Sequence, residues 1–316
     1  MSRAVRYRGR FAPSPTGPLH FGSLIAALAS YADARAHGGE WCLRIDDIDE
    51  PRARDDAEGE ILATLERYGF EWNGPVVRQS TRLERYTDAL ESLRRQHAVY
   101  ECACTRRDLE SAPIGAGGER VYPGTCRDGI RAGHPPRRAC AWRLRVLDGA
   151  VIRFHDRLQG WQQQDLAHDV GDFIVKRADG LYAYQLCVVV DDADQGITDV
   201  VRGADLLAST PRQIFLQRAL RYTEPTYLHV PIALNAAGEK LSKQTRAKPL
   251  PSDPLAGLFA AWRFLDQPMP SPLPSSVGAF WRYASAAWSP SRLPPVPMLP
   301  APAAFERPGP SSRDSV

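Results

Sequence analysis

The sequence predicts an α/β fold, and three stretches carry that prediction. Residues 10 to 23 form a short apolar lead-in, a turn punctuated by Pro and Gly, and the beginning of a helix. Trp41 to Ile45 is an apolar run of strand length that ends in carboxylates, and Cys187 to Val190 is a continuous apolar run that indicates a buried parallel strand. Open α/β sheets place their ligands where strands end and helices begin, so the first two stretches are candidates for a binding site. Considered alone, the carboxylates after the strand are better explained by a solvated turn.

The turn in the first stretch is stiff. Pro13, Pro15 and Pro18 each fix φ, and Gly17 can adopt a positive φ. After the turn, apolar residues recur at helical spacing as far as about His37, namely Leu24, Ile25, Leu28 and Tyr31. We therefore predict a helix that begins directly after the turn and buries one face.

Three polar or small residues lie in the first turn of this predicted helix, namely His20, Gly22 and Ser23. Free backbone N–H groups and the positive end of the helix dipole favour a phosphate at that place. Gly22 has no side chain, so a flat ring could approach the backbone there. A tight turn before a capped helix explains the same pattern without a ligand, so the stretch alone leaves both interpretations open.

A second candidate stretch is Lys240-Leu241-Ser242-Lys243-Gln244, which follows the polar turn of residues 235 to 239. Two lysines three positions apart around a serine make a cationic loop that suits phosphates. Considered alone, such a run is typical of a solvated surface.

The composition limits the class of protein. The 316 residues suffice for one large domain with an insert or for two modest domains, and 43% hydrophobic residues is typical of a globular chain. A net charge of +3 neither demands nor excludes nucleic acid, so an RNA site must come from local patches. No apolar run reaches the length of a membrane span, and no signal peptide is recognisable, which predicts a cytoplasmic protein without membrane contact.

In the cytoplasm, six cysteines are better explained by metal binding than by disulfides. Cys102 and Cys104 lie two positions apart, and Cys126 follows across a loop rich in Gly and Pro. Three thiolates in this arrangement suit a tetrahedral structural zinc site, with His134 or Cys140 as candidate fourth ligands. Unconnected buried cysteines are the alternative.

Periodicity predicts further elements. Helices are expected at residues 53–69, 80–93, 210–220, 255–265 and 277–288, and strands at 139–146, 151–156, 172–177 and 227–232. In the helix that Ser80 opens, the residues expected to face inward are Leu83, Tyr86, Leu90 and Leu93. Arginines crowd into residues 106–145, which suits contacts with an RNA backbone.

The two candidate stretches together resemble the paired signatures of class I aminoacyl-tRNA synthetases. His20-Phe21-Gly22-Ser23 stands where that family has His-X-Gly-His, and residues 240–244 stand where it has Lys-Met-Ser-Lys-Ser. The resemblance covers roughly Gly9 to Pro251. It is closest to the glutamyl branch, and there to the glutamyl-queuosine tRNA(Asp) synthetases, which are shortened paralogues of glutamyl-tRNA synthetase. The stretches that carry this closer resemblance are residues 10–17, 43–49 and 201–207.

The resemblance implies a Rossmann-like class I synthetase catalytic domain with a zinc-containing insert and no anticodon-binding domain. The expected parts are the first half of the catalytic domain at 1–101, an acceptor-binding-like insert at 102–177, the second half with the Lys-Leu-Ser-Lys loop at 178–250, a short helical extension at 251–289, and a Pro-rich disordered tail at 290–316. A monomer is expected. Too little chain follows Pro249 to build the large helical domain of a full glutamyl-tRNA synthetase.

The resemblance also implies an activity. The protein would activate L-glutamate with ATP and Mg²⁺ as glutamyl-adenylate and transfer the glutamyl group to queuosine in the anticodon of tRNA(Asp). A minimal glutamyl-tRNA synthetase that charges the 3′ end is the alternative, and Gln244 in place of the family serine favours queuosine. A nucleotidyltransferase and a zinc-stabilised RNA-binding module without catalysis are the remaining rivals.

The family motifs assign roles to individual residues. His20, Gly22 and Lys243 would contact ATP, and Lys240 and Lys243 would neutralise its phosphates, with Ser23 completing the catalytic set. The glutamate site would consist of Arg10, Phe11, Ala12, Pro13, Ser14, Asp46, Tyr184 and Arg202.

Two positions leave a choice open. The family usually has Glu at the position of Asp46, where the carboxylate holds the ammonium group of the amino acid. Asp46 is one methylene shorter, and Asp47 or a water could compensate. By the same resemblance Tyr122 would be the fourth zinc ligand, with His134 and Cys140 as rivals.

Overall fold

The computed structural model describes residues 6–48, 56–115, 118, 120–130, 139–241 and 248–306. Its α-helices are α1 (Phe21–Ala36), α2 (Ala57–Arg67), α3 (Leu83–Arg95), α4 (Leu166–Asp169), α5 (Tyr184–Asp194), α6 (Thr210–Leu220), α7 (Pro254–Phe264) and α8 (Val277–Ala287). Its strands are β1 (Arg8–Phe11), β2 (Glu40–Ile45), β3 (Val77–Arg78), β4 (Val99–Cys102), β5 (Ala141–Leu144), β6 (Val151–Asp156), β7 (Gly160–Asp165), β8 (Phe173–Lys176), β9 (Asp199–Gly203), β10 (Thr226–Val230), β11 (Ile232–Leu234) and β12 (Met298–Pro300).

Parallel strands form the centre of the fold. One sheet has the order β1-β2-β3 and another the order β7-β6-β10-β9, and every pairing in them is parallel except β6 with β7. The residue before β9 joins the two sheets, because Thr198 N–H donates to Arg8 O at 2.9 Å and its Oγ1 accepts from Arg8 N–H at 2.8 Å. The carboxyl ends of β1, β2 and β9 therefore meet at one edge, as the α/β prediction requires.

Helix α1 packs against this centre. Its small residues Ala27, Ala29 and Ala32 are fully buried, which lets β1, β2, β9, α7 and α8 all approach the helix. His20 is its N-cap residue with extended backbone, and the chain leaves the helix at His37, as predicted. The predicted helix that ends before Gly69 is likewise confirmed as α2, and Gly69 has a φ of 73°, which suits glycine after a helix.

The prediction of a strand at Cys187 to Val190 is wrong. These residues lie in the middle of α5, and the run from Leu186 to Asp192 is buried on all sides. A helix buried all round has no polar stripe, so its apolar run cannot be told from a buried strand by periodicity. A smaller error concerns α3, where Leu83 is 49% exposed instead of facing inward.

The expectation of disorder from residue 290 onward is wrong as far as Glu306. β12 pairs in parallel with β11, and Leu293, Ala301 and Phe305 are buried. Prolines dominate this segment, but an edge strand needs few backbone donors, and the apolar residues between the prolines pack on the core. Residues 307–316 lie outside the described part of the chain.

The strands predicted within the insert at 102–177 divide between two sheets. β4, β5 and β8 form an antiparallel sheet of their own, whereas the hairpin β6–β7 continues the parallel sheet through the pairing of Asp156 with Tyr227 of β10. This pairing brings the end of β6 next to the strands that form the site described below. None of the helices in the described residues is long and apolar enough to cross a membrane.

Candidate active site and metal site

A cavity of about 310 Å³ opens where the ends of β1, β2 and β9 meet the beginning of α1. Eleven of the residues that the sequence singled out line it, namely Arg10, Phe11, Ala12, Ser14, His20, Gly22, Ser23, Asp46, Tyr184, Arg202 and Lys240. Pro13 is not among the lining residues, and its carbonyl accepts the backbone N–H of Asp46 at 3.0 Å. Lys243 and Gln244 lie outside the described residues.

One end of the cavity is built from buried charges. Arg10 is 4% exposed, and its Nε and Nη2 donate to the carboxylate of Asp192 at 3.2 to 3.3 Å. Arg44 is fully buried and donates from Nη1 to Asp192 at 2.6 Å and from Nε to Asp46 at 2.7 Å. Burial opposes a charged Asp192, but Arg10 and Arg44 overcome it and hold its pKa below the ordinary value.

Asp46 lies at the same end of the cavity, but its pKa is shifted in the opposite direction from that of Asp192. Burial raises the pKa of its carboxyl to about 6, and the ion pair with Arg44 only partly opposes that shift. Asp47 is not available as a substitute, because its two oxygens accept the backbone N–H and the hydroxyl of Ser80 at 2.8 and 2.6 Å. The alternative role for Asp47 is therefore not supported by its contacts.

Arg202 is held in a different way from Arg10. Its Nη2 donates to Thr210 Oγ1 at 2.9 Å and to Gln213 Oε1 at 2.8 Å, and its Nε donates to His229 Nε2 at 3.0 Å. All three partners are uncharged, and among the described residues Arg202 Nη1 has no hydrogen-bond partner. A guanidinium that is 5% exposed thus keeps its positive charge for the cavity.

His229 is held by Asp156 from its other side. Nδ1 lies 2.6 Å from Asp156 Oδ2, and the same carboxylate accepts the backbone N–H of His229. Burial lowers the pKa of His229 to about 4, and Arg202 adds to this effect, while the bond to Asp156 opposes it. The neutral ring must then carry its proton on Nδ1, which leaves Nε2 to accept from Arg202.

The opposite end of the cavity is formed by the beginning of α1. A Cβ on Gly22 would lie 3.1 Å from the ring of His20 and 3.3 Å from the carbonyl of Leu241, so only glycine fits without a shift. Lys240 reaches the same end, and its Nζ lies 2.5 Å from Asp205 Oδ2. The N-terminus of a helix beside a lysine suits phosphate oxygens.

The metal site predicted from the cysteines is a real cluster. The Sγ atoms of Cys102, Cys104 and Cys126 all lie within 4.8 Å of one another, and Tyr122 Oη lies 3.3 and 3.5 Å from the first two. Zinc with Zn–S bonds of about 2.3 Å spaces its tetrahedral ligands about 3.7 Å apart, so these donors are spaced as a metal requires. The cluster could hold a metal ion with Tyr122 as fourth donor. Cys140 is not part of the group found among the described residues, and His134 lies outside them.

Arg143 supports this cluster from outside. Its Nε donates to Cys102 Sγ at 3.2 Å, and its guanidinium lies 3.7 Å above the ring of Tyr122. Arg127 pairs with buried Asp172 at 2.7 Å, and Arg145 donates to the backbone of Arg127. These three arginines of the insert are therefore occupied within the protein, whereas Arg106 and Arg107 are exposed.

The sequence reasoning missed the residues that position the cavity, above all Arg44, Asp192, His229 and Asp156. One signal was present for the first pair. Arg44 is a charge inside the apolar strand Trp41 to Ile45, and Asp192 follows the apolar run of α5, so both were buried charges that needed partners. Nothing in the sequence pairs Asp156 with His229, because 73 positions separate them.

Comparisons with known proteins agree with this architecture. The model of a family described as tRNA synthetases class I (E and Q), catalytic domain, matches residues 6–252. A protein of Dechloromonas aromatica named glutamyl-Q tRNA(Asp) synthetase is 56% identical over 301 residues, which are 94% of this chain and 99% of that protein. A protein of the same name from Aromatoleum aromaticum is 54% identical and covers 98% of each chain.

Two solved structures share the fold at lower identity. A glutamate-tRNA synthetase from Elizabethkingia anophelis has a TM-score of 0.74 and 23% identity over 92% of this chain. A glutamate tRNA ligase from Elizabethkingia meningosepticum has a TM-score of 0.72 and 24% identity over 91% of this chain. The chain spans 67% and 66% of their respective lengths. The predicted α/β synthetase fold is thereby confirmed, and the chain belongs to the class I tRNA synthetase family of glutamyl and glutaminyl (E and Q) enzymes, which are ligases.

Proposed function

We propose that this enzyme activates L-glutamate with ATP as glutamyl-adenylate and transfers the glutamyl group to the queuosine base in the anticodon of tRNA(Asp). The names of the relatives that match nearly the whole chain support this acceptor. The cavity supports the amino acid, because it has a cationic pocket for a side-chain carboxylate at one end and a helix N-terminus at the other. An enzyme that acts on tRNA would work in the cytoplasm.

The observation that carries the proposal is the state of Arg202. Among the described residues no carboxylate lies within ion-pair distance of it, whereas Asp192 engages both Arg10 and Arg44. A buried guanidinium with only neutral partners is stabilised by an incoming carboxylate and left uncompensated by an amide. Arg202 is thus suited to the γ-carboxylate of glutamate and selects against glutamine.

The first step needs no general base. The α-carboxylate of glutamate is ionised at neutral pH and attacks the α-phosphate of ATP, and pyrophosphate leaves. The barrier comes from bringing two anions together, so catalysis consists of positioning and electrostatic stabilisation. His20, Gly22 and Ser23 would position the nucleotide, and Lys240 and Lys243 would neutralise its phosphates. Mg²⁺ would accompany ATP.

The second step is an acyl transfer. A hydroxyl oxygen of the acceptor forms an ester bond with the glutamyl carbonyl carbon while the bond from that carbon to the phosphate oxygen breaks. AMP leaves, and the hydroxyl proton departs with its phosphate. Asp46 would hold the ammonium group of glutamate through both steps, with Arg44 fixing the carboxylate of Asp46.

The cysteine cluster with Tyr122 has a structural role in this proposal. Cys102, Cys104, Tyr122 and Cys126 would bind one zinc ion and clip the loops of the insert to β4. Four protein donors leave no open position on a tetrahedral ion, so the metal would supply folding free energy and take no part in the reaction. We expect the protein to be a monomer.

The proposal is tested by finding the position in the tRNA to which labelled glutamate is transferred. The enzyme is incubated with labelled glutamate, ATP and tRNA that either contains or lacks queuosine, and the RNA is then digested. We expect label on the anticodon fragment of queuosine-containing tRNA only. Glutamate-dependent exchange of pyrophosphate into ATP reports the first step separately, and its absence would contradict the proposal.

The alternative acceptor is the 3′ end of a tRNA, which the shared fold with glutamate-tRNA synthetases favours. It predicts label on the terminal adenosine, equally in tRNA with and without queuosine. That outcome would leave the first step in place and replace the acceptor.

A further inference from the structure

A network of ion pairs joins α5 to the short helical turn Gln79–Arg82 that precedes α3. Asp191 is fully buried in α5, and its Oδ1 accepts from Arg82 Nε at 2.6 Å. Gln79 Nε2 and the hydroxyl of Tyr86 donate to Asp191 Oδ2 at 2.8 and 2.9 Å. Arg82 also pairs with Asp194, the last residue of α5, and it is not among the residues that line the cavity.

Arg44 connects this network to the glutamate end of the cavity. Its Nε donates to Asp46 at 2.7 Å and lies 3.7 Å from Asp191 Oδ2, so the same nitrogen faces two carboxylates. Its Nη1 donates to Asp192 at 2.6 Å, while its Nη2 has no hydrogen-bond partner among the described residues. Arg44 and Asp191 are both fully buried, so solvent does not replace a contact that either of them loses.

The charges around Arg44 are balanced one to one. In the part of the chain that the structure describes, each carboxylate that Arg44 faces has an arginine of its own, namely Arg10 for Asp192, Arg82 for Asp191 and Arg44 itself for Asp46. An unpaired carboxylate in the protein interior is costly. Without Arg82, Asp191 would therefore attract the guanidinium of Arg44, and the bond from Arg44 Nε to Asp46 would weaken.

From this balance we propose that Arg82 is a positioning residue for glutamate, which neutralises Asp191 and thereby leaves Arg44 Nε to orient the carboxylate of Asp46. The proposal rests on the proposed function, in which Asp46 binds the ammonium group of glutamate. Arg82 acts through Asp46 and has no part in binding the two carboxylates of the substrate. A change at Arg82 therefore weakens the binding of ligands that carry the ammonium group and spares ligands that lack it.

The test compares glutamate with glutarate, which has the same two carboxylates and no ammonium group. Pyrophosphate exchange gives the KM for glutamate, and competition gives the inhibition constant of glutarate, both at about pH 8, where Asp46 is charged. We expect Arg82→Gln to raise the KM for glutamate about tenfold, because Asp46 loses its oriented partner. The kcat, the KM for ATP and the inhibition constant of glutarate should stay within about twofold of wild type.

Further variants test whether Arg82 acts through Asp191. Arg82→Lys keeps a cation beside Asp191, so the KM for glutamate should rise less than about threefold. Combining Arg82→Gln with Asp191→Asn removes the carboxylate that competes for Arg44, and the KM should return to within about threefold of wild type. Tyr86→Phe removes one hydrogen bond from Asp191 and should raise the KM about twofold, a test that remains if Arg82→Gln does not fold.

Arg127→Gln is the matched control for loss of stability. Arg127 pairs with Asp172, which is fully buried like Asp191, and neither residue lines the cavity. Arg82→Gln and Arg127→Gln should both lower the thermal midpoint, but only Arg82→Gln should change the KM for glutamate. A similar rise of the KM in Arg127→Gln would attribute the effect to lost stability and contradict the proposal.

Three further outcomes would overturn the role of Arg82. A wild-type KM for glutamate in Arg82→Gln and Tyr86→Phe would show that Asp191 does not compete for Arg44. Equal weakening of glutamate and glutarate would indicate a general distortion of the cavity. A raised KM that persists in the double variant would exclude a route through Asp191. Absence of exchange in the wild-type protein is a separate result, because it would contradict the proposed function itself.

Discussion

Arg202 is positioned by a chain of hydrogen bonds that runs from Asp156 through His229. The position of the proton on the ring of His229 decides which atoms donate and which accept. Asp156 can only accept, so neutral His229 places its proton on Nδ1, and Nε2 is left to accept from Arg202 Nε. If that proton moved to Nε2, two donors would face each other across 3.0 Å. The orientation of the guanidinium in the cavity therefore depends on a residue of β6 that does not touch the cavity.

Two substitutions of His229 separate the two bonds. The amide of Gln reaches the position of Nε2 and can accept from Arg202, whereas the amide of Asn reaches only the position of Nδ1 and can donate to Asp156. We predict that His229→Asn raises the KM for glutamate about tenfold and that His229→Gln raises it less than about threefold. The kcat of pyrophosphate exchange should change little in both.

Thermal unfolding is the control for this pair, since both variants lose one buried hydrogen bond and should be destabilised to a similar degree. Equal KM values in His229→Asn and His229→Gln would mean that the ring acts only through packing.

If Asp46 binds the ammonium group of glutamate as proposed, its carboxyl makes glutamate binding depend on pH. Its pKa in the folded protein is about 6, raised by burial, so the folded protein takes up a proton between about pH 4 and 6 that the unfolded chain does not. The charged carboxylate thus costs stability above pH 6, and this cost disappears as the pH falls. Binding of the ammonium group of glutamate depends on pH in the opposite direction. Only the charged carboxylate of Asp46 attracts the ammonium group, so binding weakens as the pH falls.

We predict that the KM for glutamate rises about tenfold for each pH unit below 6 and is constant above 7, measured by pyrophosphate exchange between pH 5 and 8. Asp46→Asn should raise the KM at neutral pH and abolish this dependence. Asp47→Asn is the control and should keep the wild-type profile. A KM that stays constant down to pH 5 would contradict the role of Asp46.

The insert shows how donors from separate elements make one site. Cys102 ends β4, Cys104 follows it, and Tyr122 and Cys126 come from the far side of a long loop. The spacing of the cysteines predicted all three thiolates, and the resemblance added Tyr122 as the fourth candidate donor. The structure shows the loop closure that brings them together and places Tyr122 Oη 3.0 Å from the backbone nitrogen of Cys126.

The zinc content of variants tests the proposed metal site in the insert. We predict that purified wild-type protein contains about one zinc per chain and that Cys104→Ala loses it, with a lower thermal midpoint. Tyr122→Phe should still bind zinc, because three thiolates remain, but more weakly, because one donor is lost. Cys140→Ala is the control and should keep full zinc content, measured by elemental analysis. Full content in Cys104→Ala would refute the ligand assignment.

Secondary structure was predictable where one face of an element is exposed. The period in α3 and the alternation in β6 both show which side is buried. α5 lacks this contrast because neighbours cover it all round, so its apolar run was assigned to a strand. The two carboxylates that follow this run, Asp191 and Asp192, are buried inside the same helix.

The C-terminal part of the described chain packs against α1, which forms the end of the cavity where we propose that the nucleotide binds. The ring of Phe305 stacks on Phe21 at 4.1 Å, and Phe21 is the first residue of α1, next to His20. Trp288 Nε1 donates to Asp33 in the last turns of the same helix at 2.9 Å. A segment more than 250 positions away in sequence thus fixes both ends of α1.

We predict that Phe305→Ala lowers the free energy of unfolding by about 3 kcal/mol and raises the KM for ATP more than that for glutamate, because the cavity it leaves lies beneath Phe21. Met298→Ala, at a residue that is 49% exposed, is the control and should change stability by less than about 0.5 kcal/mol. Denaturant unfolding and pyrophosphate exchange measure both effects. A loss of stability with no preference for the KM of ATP would separate this segment from the site.

The residue types of the cavity could be predicted from the sequence, because a rigid turn, a glycine at a helix start and carboxylates after a strand each have a local physical cause. The resemblance to class I synthetases placed the same residues in one site. Their partners could not be predicted in this way. Asp192 for Arg10, Asp156 for His229 and Phe305 for Phe21 are contacts between distant parts of the chain.

Local order is encoded by neighbours along the chain, which a sequence displays directly. The charge state and orientation of a buried side chain depend instead on what surrounds it in space. Arg10 and Arg202 look equivalent in the sequence, yet one faces a carboxylate and the other faces neutral groups. Long-range packing made that difference, and it is the reason why Arg202 is the residue suited to receive a substrate carboxylate.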